Sequence, residues 1–190
     1  MAKRVYFAFH YQDVIDFRAN VVRNHKLIGG VEKAGYFDAS IWEEARKKNP
    51  LALKRMINSE LENTTVTAVL IGSDTYARPW VRYEIFKSIE RGNSVVGIHI
   101  NGISGKDQKT KSLGPNPFEY LGLIISNDGG KGTPREWDSK KWIDYSELGT
   151  FGISEQPIAN RGKRLQLSHW LPVYDWVANN GYENFRSWIS

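Results

Sequence analysis

The chain has 190 residues, of which 41% are hydrophobic and 25% charged, a composition typical of one soluble domain with a substantial core. It contains no cysteine, which excludes disulfides, thiolate catalysis and cysteine-ligated metal centres. No apolar run approaches the ~20 residues of a membrane span, and the first residues lead into a strand-like segment rather than a signal sequence. We therefore expect a cytoplasmic protein without membrane contact. The net charge of +5 comes from scattered basic residues, so no nucleic-acid interface is expected either.

Two local patterns begin the chain. Residues 5–9 form a continuous apolar run, which is typical of a strand covered on both faces. Residues 12–25 place Val14, Phe17 and Val21 at helical spacing and predict a helix that buries these three side chains. The first strand therefore leads into the first helix.

Further strands and helices alternate as far as residue 126. The predicted elements are a short strand at 36–38, a helix that begins at Asn49 and Pro50, a strand at 66–71, a helix from Pro79 that stops at Gly92, a strand at 95–100, a Gly- and Lys-rich linker at 101–117 and a strand at 120–125. Residues 40–48 fit a short helix or an ordered loop equally well. Strands and helices that alternate in this way predict right-handed crossovers and a parallel sheet.

The predicted fold class is α/β, a flavodoxin-like five-stranded parallel sheet with helices on both faces and a C-terminal aromatic-rich extension. Residues 1–126 form the sheet domain in this prediction, and residues 127–190 pack on the same domain as the extension. The extension is expected to end in a closing helix that starts near Trp170. A sheet of this kind binds its ligands at the carboxyl ends of its strands.

Candidate binding residues follow the predicted strand ends. They are Phe9, His10 and Tyr11 after the first strand, Asp38 after the second, Ser73 after the third, and Trp80 and Glu84 on the helix that follows. Some also have a purely structural explanation, because a tryptophan such as Trp80 is often a core residue and an acid such as Asp38 often caps a helix.

Several common sites are disfavoured by the sequence. The sequence has no glycine-rich phosphate loop, which argues against the usual nucleotide-binding motifs. It also has no G-x-S-x-G elbow, which argues against a serine hydrolase. A response regulator would share the fold, but such proteins have clustered acidic residues at the end of the first strand. Here the sequence at this place, residues 9–11, is FHY.

Three segments resemble the TIR domains that cleave NAD. They are residues 80–85 (WVRYEI), followed by Gly92, residues 5–10 (VYFAFH) and residues 69–73 (VLIGS). Residues 9–18 (FHYQDVIDFR), 114–118 (GPNPF) and 174–177 (YDWV) are similar to the TIR proteins of bacterial Thoeris anti-phage systems, so the resemblance extends over most of the chain. The small serine usual after the first strand of TIR domains is replaced here by AFH at residues 8–10.

The resemblance implies an NAD+ glycohydrolase or ADP-ribosyl cyclase in which Glu84 is the catalytic carboxylate. Loss of nicotinamide leaves oxocarbenium-like positive charge on the ribose, which a fixed carboxylate stabilises. The strand-end residues and Trp80 are then expected to contact the substrate, and which of Phe9, Tyr11 and Trp80 stacks on it is left open. NAD+ is the substrate, and no separate cofactor or metal is expected.

The resemblance also implies partners. A Thoeris TIR protein makes a cyclic ADP-ribose isomer, and this signal activates a separate Thoeris effector in antiviral defence. TIR self-association is expected as well, with residues 38–49 helping to form the pocket. The alternative is a non-enzymatic TIR assembly or adaptor module, because the fold alone does not prove activity.

Overall fold

A parallel sheet and an antiparallel sheet form the framework of the computed structural model, which describes residues 4–25, 33–34 and 49–190. In chain order the elements are β1 (Val5–Phe9), α1 (Tyr11–Ile15), α2 (Arg18–Arg23), β2 (Lys33–Ala34), α3 (Pro50–Leu61), β3 (Val66–Ile71), α4 (Pro79–Glu90), β4 (Ser94–His99), β5 (Leu121–Ile125), β6 (Lys131–Trp137), β7 (Trp142–Asp144), β8 (Phe151–Gly152), β9 (Arg164–Gln166), β10 (Val173–Asp175) and α5 (Gly181–Trp188).

The parallel sheet has the strand order β2-β1-β3-β4-β10 among the described strands. Val5 of β1 lies opposite Val66 of β3, which in turn lies opposite Ser94 of β4. The predicted adjacency of these three strands is thereby confirmed. The chain goes from β1 to β2 on one side and from β3 to β4 on the other, so the connections reverse between β1 and β3. Such a switch point is where open α/β sheets bind ligands.

Helices cover both faces of the parallel sheet. Tyr6 and Ala8 of β1 face the layer formed by α3 and α4, against which the antiparallel sheet also packs. Val5 and Phe7 face α2 and α5. Because both faces are covered, the strands carry nearly continuous apolar sequence. The prediction of an α/β protein built on a parallel sheet is confirmed.

The predicted fifth parallel strand is wrong. Residues Leu121–Ile125 do form a strand, but β5 pairs antiparallel with β6 and β9 in the second sheet, whose order is β7-β6-β5-β9 with β8 on β6. A tight turn explains this, since Gly129 has a φ of +83° and Asp128 accepts a hydrogen bond from the Gly130 N–H. A short turn returns the chain antiparallel, whereas a parallel neighbour requires a long crossover.

The C-terminal segment also differs from its prediction. A closing helix was expected from Trp170, but Val173–Asp175 is a strand that pairs parallel with β4, and the helix α5 begins only at Gly181. A Cβ on Gly181 would lie 2.5 Å from the Trp176 ring, so glycine lets α5 begin against this buried indole. Strand β10 lies beyond the predicted domain boundary and yet joins the parallel sheet. The division into 1–126 and 127–190 stays a prediction.

The predicted first helix is broken in two. Phe17 has a φ of +65°, a left-handed conformation that separates α1 from α2 and turns the following residues to a new face. Phe17 and Val21 are consequently 51% and 44% exposed, whereas Ala19 and Val22 are buried. The prediction that Phe17 and Val21 belong to the core is wrong.

Two predictions lie outside the described residues. They are the strand at 36–38 and the alternatives for 40–48, although Lys33–Ala34 pairs parallel with β1 just before them. Among the helices that the structure describes, none combines the length and the apolar character that a membrane crossing requires.

Candidate active site

Helix α4 carries Glu84 into the interior. Pro79 begins the helix, where its missing N–H has no intrahelical partner, and Gly92 follows its end with a φ of +80°. Val81 and Ile85 anchor the helix in the core. Glu84 lies between them on the buried side and is 2% exposed. An isolated carboxylate at such a position is costly and calls for an explanation.

Tyr6 is the hydrogen-bond partner of Glu84. Its hydroxyl donates to Glu84 Oε1 at 2.6 Å, and the residue belongs to β1, which pairs with β2 and β3. Glu84 Oε2 is buried and accepts no hydrogen bond from the residues that the structure describes. Burial raises the pKa of Glu84 to about 8, against the lowering effect of the Tyr6 hydrogen bond. The site therefore holds a carboxyl group that titrates near neutral pH, as functional carboxyls often do.

Trp80 lies one helical turn before Glu84, a spacing that would let the two side chains share a cleft-facing side, but of the two only Trp80 borders the cleft. This cleft of about 350 Å³ lies between α4 and the antiparallel sheet, and Tyr83 and Tyr145 also line it. Its rim carries an ion pair between Arg82 Nη1 and Glu136 Oε2 at 2.6 Å. Glu84 points instead toward β1, so the indole and the carboxylate occupy different sides of the helix.

The residues after β1 are divided between two places. Phe9 packs on the opposite face of the sheet from Tyr6, with the Arg23 guanidinium 4.9 Å from its ring centroid. His10 precedes α1 and accepts a hydrogen bond from the Asp13 N–H, and Tyr11 is the first residue of α1. The structure thus does not bring Phe9 together with Glu84. The substrate-binding roles of these three residues stay predictions.

Ser73 lies at the carboxyl end of β3, where the sequence places it. Asn101, which follows β4, donates from Nδ2 to Ser73 Oγ at 3.2 Å and accepts from the Gly114 N–H at 3.3 Å. Ser73 and Asn101 thereby join two neighbouring strand ends. Asp38 lies outside the described residues.

Asp13 is a buried acid that the sequence analysis did not single out as a site residue. It lies at the switch point between β1 and β3, so close to Gly72 that a Cβ there would be 2.2 Å from Asp13 Oδ2. Oδ2 is buried without a hydrogen-bond partner among the described residues. Burial raises the pKa of Asp13 to about 6, although Lys111 and Arg18 act in the opposite direction. An acid near the start of a helix is ordinarily explained by its contact with the helix dipole, so Asp13 carried no signal of a site in the sequence.

We expect Asp13→Asn to stabilise the chain only where Asp13 would be charged. The folded-state pKa of Asp13 lies above the usual 3.8, so the protonated side chain favours the folded wild type. This contribution to the unfolding free energy is complete below about pH 4 and is lost as the pH rises through about 6. At pH 8 the variant should gain up to about 3 kcal/mol in unfolding free energy, and at pH 4 almost nothing. Urea unfolding at both values measures this, with the exposed Asp74→Asn as the control. An equal gain at both values would contradict the prediction.

Arg18 fixes the Gly- and Lys-rich loop beside these strand ends. The guanidinium is 2% exposed and donates from Nε to the Ile103 carbonyl at 3.0 Å and from Nη2 to the Lys109 carbonyl at 2.6 Å. Its Nη1 is paired with Asp16 Oδ2 at 3.0 Å. Gly105 leaves the space that the guanidinium occupies, because a Cβ there would lie 2.6 Å from it. The predicted linker is thus tied to the helical layer.

No metal site emerges from the described residues, in which His, Asp and Glu side chains do not gather in groups of three or more. Among the described residues, the polar groups that could carry chemistry are the Tyr6–Glu84 pair and those at the strand ends around Asp13 and Ser73.

Comparison with known proteins identifies the family. The family model described as "Thoeris protein ThsB, TIR-like domain" matches residues 6–104, about half of the chain. The chain belongs to this Thoeris TIR-like family. It is also 54% identical over 192 residues to the "Putative cyclic ADP-D-ribose synthase ThsB1" of Bacillus cereus (strain MSX-D12), with 100% of both chains covered. The family match begins at Tyr6 and includes Glu84, so both members of the buried pair lie within the TIR-like region.

Proposed function

We propose that this chain cleaves NAD+ between nicotinamide and ribose and closes the remaining ADP-ribosyl group into a cyclic ADP-ribose, with a proton released from the hydroxyl or amine that attacks the anomeric carbon. The observation that carries the proposal is the buried Glu84, whose second carboxylate oxygen has no hydrogen-bond donor among the described residues. The name of the Bacillus cereus relative, a cyclic ADP-D-ribose synthase, supports the same reaction. The cyclic product would activate a separate Thoeris effector.

The chemistry follows from the charge that develops on the ribose. When the bond to nicotinamide breaks, the anomeric carbon becomes oxocarbenium-like and carries positive charge. A carboxylate fixed in a site of low dielectric stabilises that charge far more than a solvated one. Nicotinamide leaves as a neutral molecule, so the step needs no strong general acid. Glu84 provides the negative charge in this proposal.

The protonation state of Glu84 links substrate binding to catalysis. With a pKa of about 8, the carboxyl group of the free protein is mostly neutral at pH 7. The nicotinamide ring of NAD+ carries a positive charge, and a positive charge close to the carboxyl group favours its ionised form. Binding of NAD+ therefore promotes release of the Glu84 proton.

We expect kcat/KM for NAD+ to rise with pH. This parameter reports the ionisation of the free protein, so it should increase about tenfold per pH unit below the Glu84 pKa and level off above about 8. Initial rates of nicotinamide release between pH 6 and 9.5, with unfolding monitored in parallel, measure the profile. A flat profile, or one that falls over this range, would contradict an essential Glu84 carboxylate.

Cyclisation places a second demand on the site, since an internal nucleophile must reach the anomeric carbon before water does. We propose that Trp80 and the strand-end residues contribute this enclosure. The strand-end residues are Phe9, His10, Tyr11, Asp38 and Ser73. Of these contributors, Phe9 and Trp80 would take part only from the far side of the sheet and of the helix, because neither of them faces Glu84. Association of two TIR regions, with residues 38–49 at the interface, would further exclude water.

The reaction products test the proposal. The full chain, both purified and in extracts of phage-infected cells, is supplied with NAD+, and nicotinamide and the nucleotide products are measured by chromatography and mass spectrometry. We expect nicotinamide together with a nucleotide one water lighter than ADP-ribose. Mainly linear ADP-ribose would indicate a simple hydrolase. Absence of nicotinamide from both preparations would favour the non-enzymatic assembly module.

A further inference from the structure

We infer that Tyr6 is a positioning residue for the reaction, because its hydroxyl holds Glu84 Oε1 and leaves Oε2 for the substrate. The inference rests on the proposed NAD+ cleavage, and it concerns a residue on a different element from the catalytic helix. Tyr6 does not touch the substrate in this scheme. It acts through Glu84.

The geometry makes this hydrogen bond specific. Tyr6 is 1% exposed and Glu84 2% exposed, and 78 positions separate them in the chain. A buried tyrosine hydroxyl needs a partner, and at 2.6 Å the Glu84 carboxyl group is within short hydrogen-bond distance. The ring lies in a strand with neighbours on both sides, so the donor is held rigidly.

A second buried contact holds the backbone of the same helical turn. Thr67 of β3 donates to Ser88 Oγ at 2.7 Å, and Ser88 Oγ donates to the Glu84 carbonyl at 2.6 Å. The helix is therefore tied to β3 through its backbone and to β1 through the Glu84 side chain. The Ser88 contact fixes where the turn lies, whereas the Tyr6 contact fixes where the carboxylate points.

The Tyr6 hydroxyl remains a donor over the working pH range. Burial, and then the negative charge of Glu84, raise the pKa of Tyr6 well above its usual value. Among the described residues, Glu60 on α3 is the other charged group that acts on this hydroxyl, and its negative charge also raises the pKa of Tyr6. Burial and the Tyr6 hydrogen bond are the effects that act on Glu84. Deprotonation of Tyr6 therefore does not interrupt the contact.

The consequence is a balance between two effects on Glu84. Burial favours the neutral acid, and the Tyr6 hydrogen bond favours the carboxylate. Removing only the hydroxyl leaves the burial effect unopposed and frees the carboxyl group to rotate. Both changes should weaken the stabilisation of positive charge on the ribose.

Tyr6→Phe tests the inference, because it removes one oxygen and keeps the ring. We expect kcat at pH 7 to fall about 10–100-fold, the range for a hydrogen bond to a charged group, with a smaller change in KM. The rising limb of the pH profile should move to higher pH, so that the loss shrinks toward pH 9.5. Tyr174→Phe makes the same change on β10 at the edge of the sheet and should leave the profile unaltered. An unchanged profile in Tyr6→Phe, or an equal loss at every pH, would overturn the inference.

A direct titration separates this inference from the proposed reaction. The Glu84 carboxyl carbon, observed by NMR without substrate, should titrate at a higher pH in Tyr6→Phe than in the wild type and in Tyr174→Phe. An unchanged Glu84 pKa refutes the positioning role even if NAD+ is cleaved. If the Glu84 pKa is raised in Tyr6→Phe but the wild type does not cleave NAD+, the proposed reaction is refuted and the effect of Tyr6 on Glu84 is retained.

The hydrogen bond can also be tested without the Tyr6→Phe variant, in case that variant does not fold. Glu84→Gln weakens the acceptor, so the ring-carbon signal of Tyr6 beside the hydroxyl should shift in a tyrosine-labelled sample, and that of Tyr174 should not. A Tyr6 signal that does not move would overturn the hydrogen bond itself.

Discussion

Glu84→Gln is expected to reduce nicotinamide release about 10²–10³-fold while the chain remains folded. Glutamine keeps the length of the side chain, and its carbonyl oxygen can still accept the hydrogen bond from Tyr6. What the substitution removes is the negative charge that opposes the positive ribose. Since the carboxyl group is buried and costly to ionise in the free protein, neutralising it should not lower stability by a large amount.

The matched control is Glu90→Gln on the same helix. Glu90 is paired with Lys87 near the helix end and lies away from the buried face, so its loss should change the rate little. Nicotinamide release and thermal melting are measured for both variants and the wild type. A Glu84→Gln protein that melts normally and keeps full activity would remove Glu84 from the mechanism.

Arg18→Met should lower the unfolding free energy by about 2–4 kcal/mol. Methionine fills much of the same volume, but it removes the buried donor of the Ile103 carbonyl and leaves the Lys109 carbonyl with the Gly105 N–H as its donor. It also leaves Asp16 with Lys111 as its cationic partner in place of two. The loop should then open more easily, because the guanidinium binds two of its backbone carbonyl groups to the start of α2.

Urea unfolding measures the stability change, and hydrogen exchange locates it. The amides of Gly105 and Lys111, which are bonded to backbone carbonyls within this loop region, should exchange faster in Arg18→Met than in the wild type. Lys106→Met, an exposed change on the same loop, should alter stability by less than about 0.5 kcal/mol. Equal stability of Arg18→Met and Lys106→Met would show that the loop does not depend on Arg18.

Strong periodicity and well-formed ends explain why part of the fold was predictable. The second predicted helix begins where Asn49 accepts a hydrogen bond from the Leu51 N–H at 2.9 Å, and Leu53 and Ile57, which lie four residues apart on one face of it, are buried. Strands β1, β3 and β4 are long apolar runs that only a doubly covered sheet accommodates. In these elements, local sequence and tertiary packing favour the same structure.

The wrong predictions share a physical cause, which is that local pattern does not specify tertiary partners. One left-handed residue, Phe17, was enough to change which side chains of the next turn face the core. The apolar run at 121–125 identifies a strand but fits either sheet. Strand β10 has only three residues, too few to show a period of two, and its place follows from pairing with β4.

The site was predictable to the extent that one helix contains it. Glu84 was found because its segment resembles a known catalytic helix, whereas Tyr6 looked like an ordinary core residue of an apolar strand. The signal available in the sequence was a tyrosine in a doubly buried strand together with a glutamate on the buried face of a helix, each of which needs a polar partner. Their pairing across 78 positions required the fold.

The isotope content of the product tests the central claim most directly. The wild-type chain is supplied with NAD+ in water enriched in oxygen-18, and the nucleotide formed with each nicotinamide is weighed by mass spectrometry. If ribose is captured by a nucleophile within ADP-ribose, the main product has the cyclic mass and no oxygen-18, in amounts equal to the nicotinamide released and strongly reduced in Glu84→Gln. Linear ADP-ribose carrying one oxygen-18 as the main first product, or equal turnover by Glu84→Gln, would contradict the account.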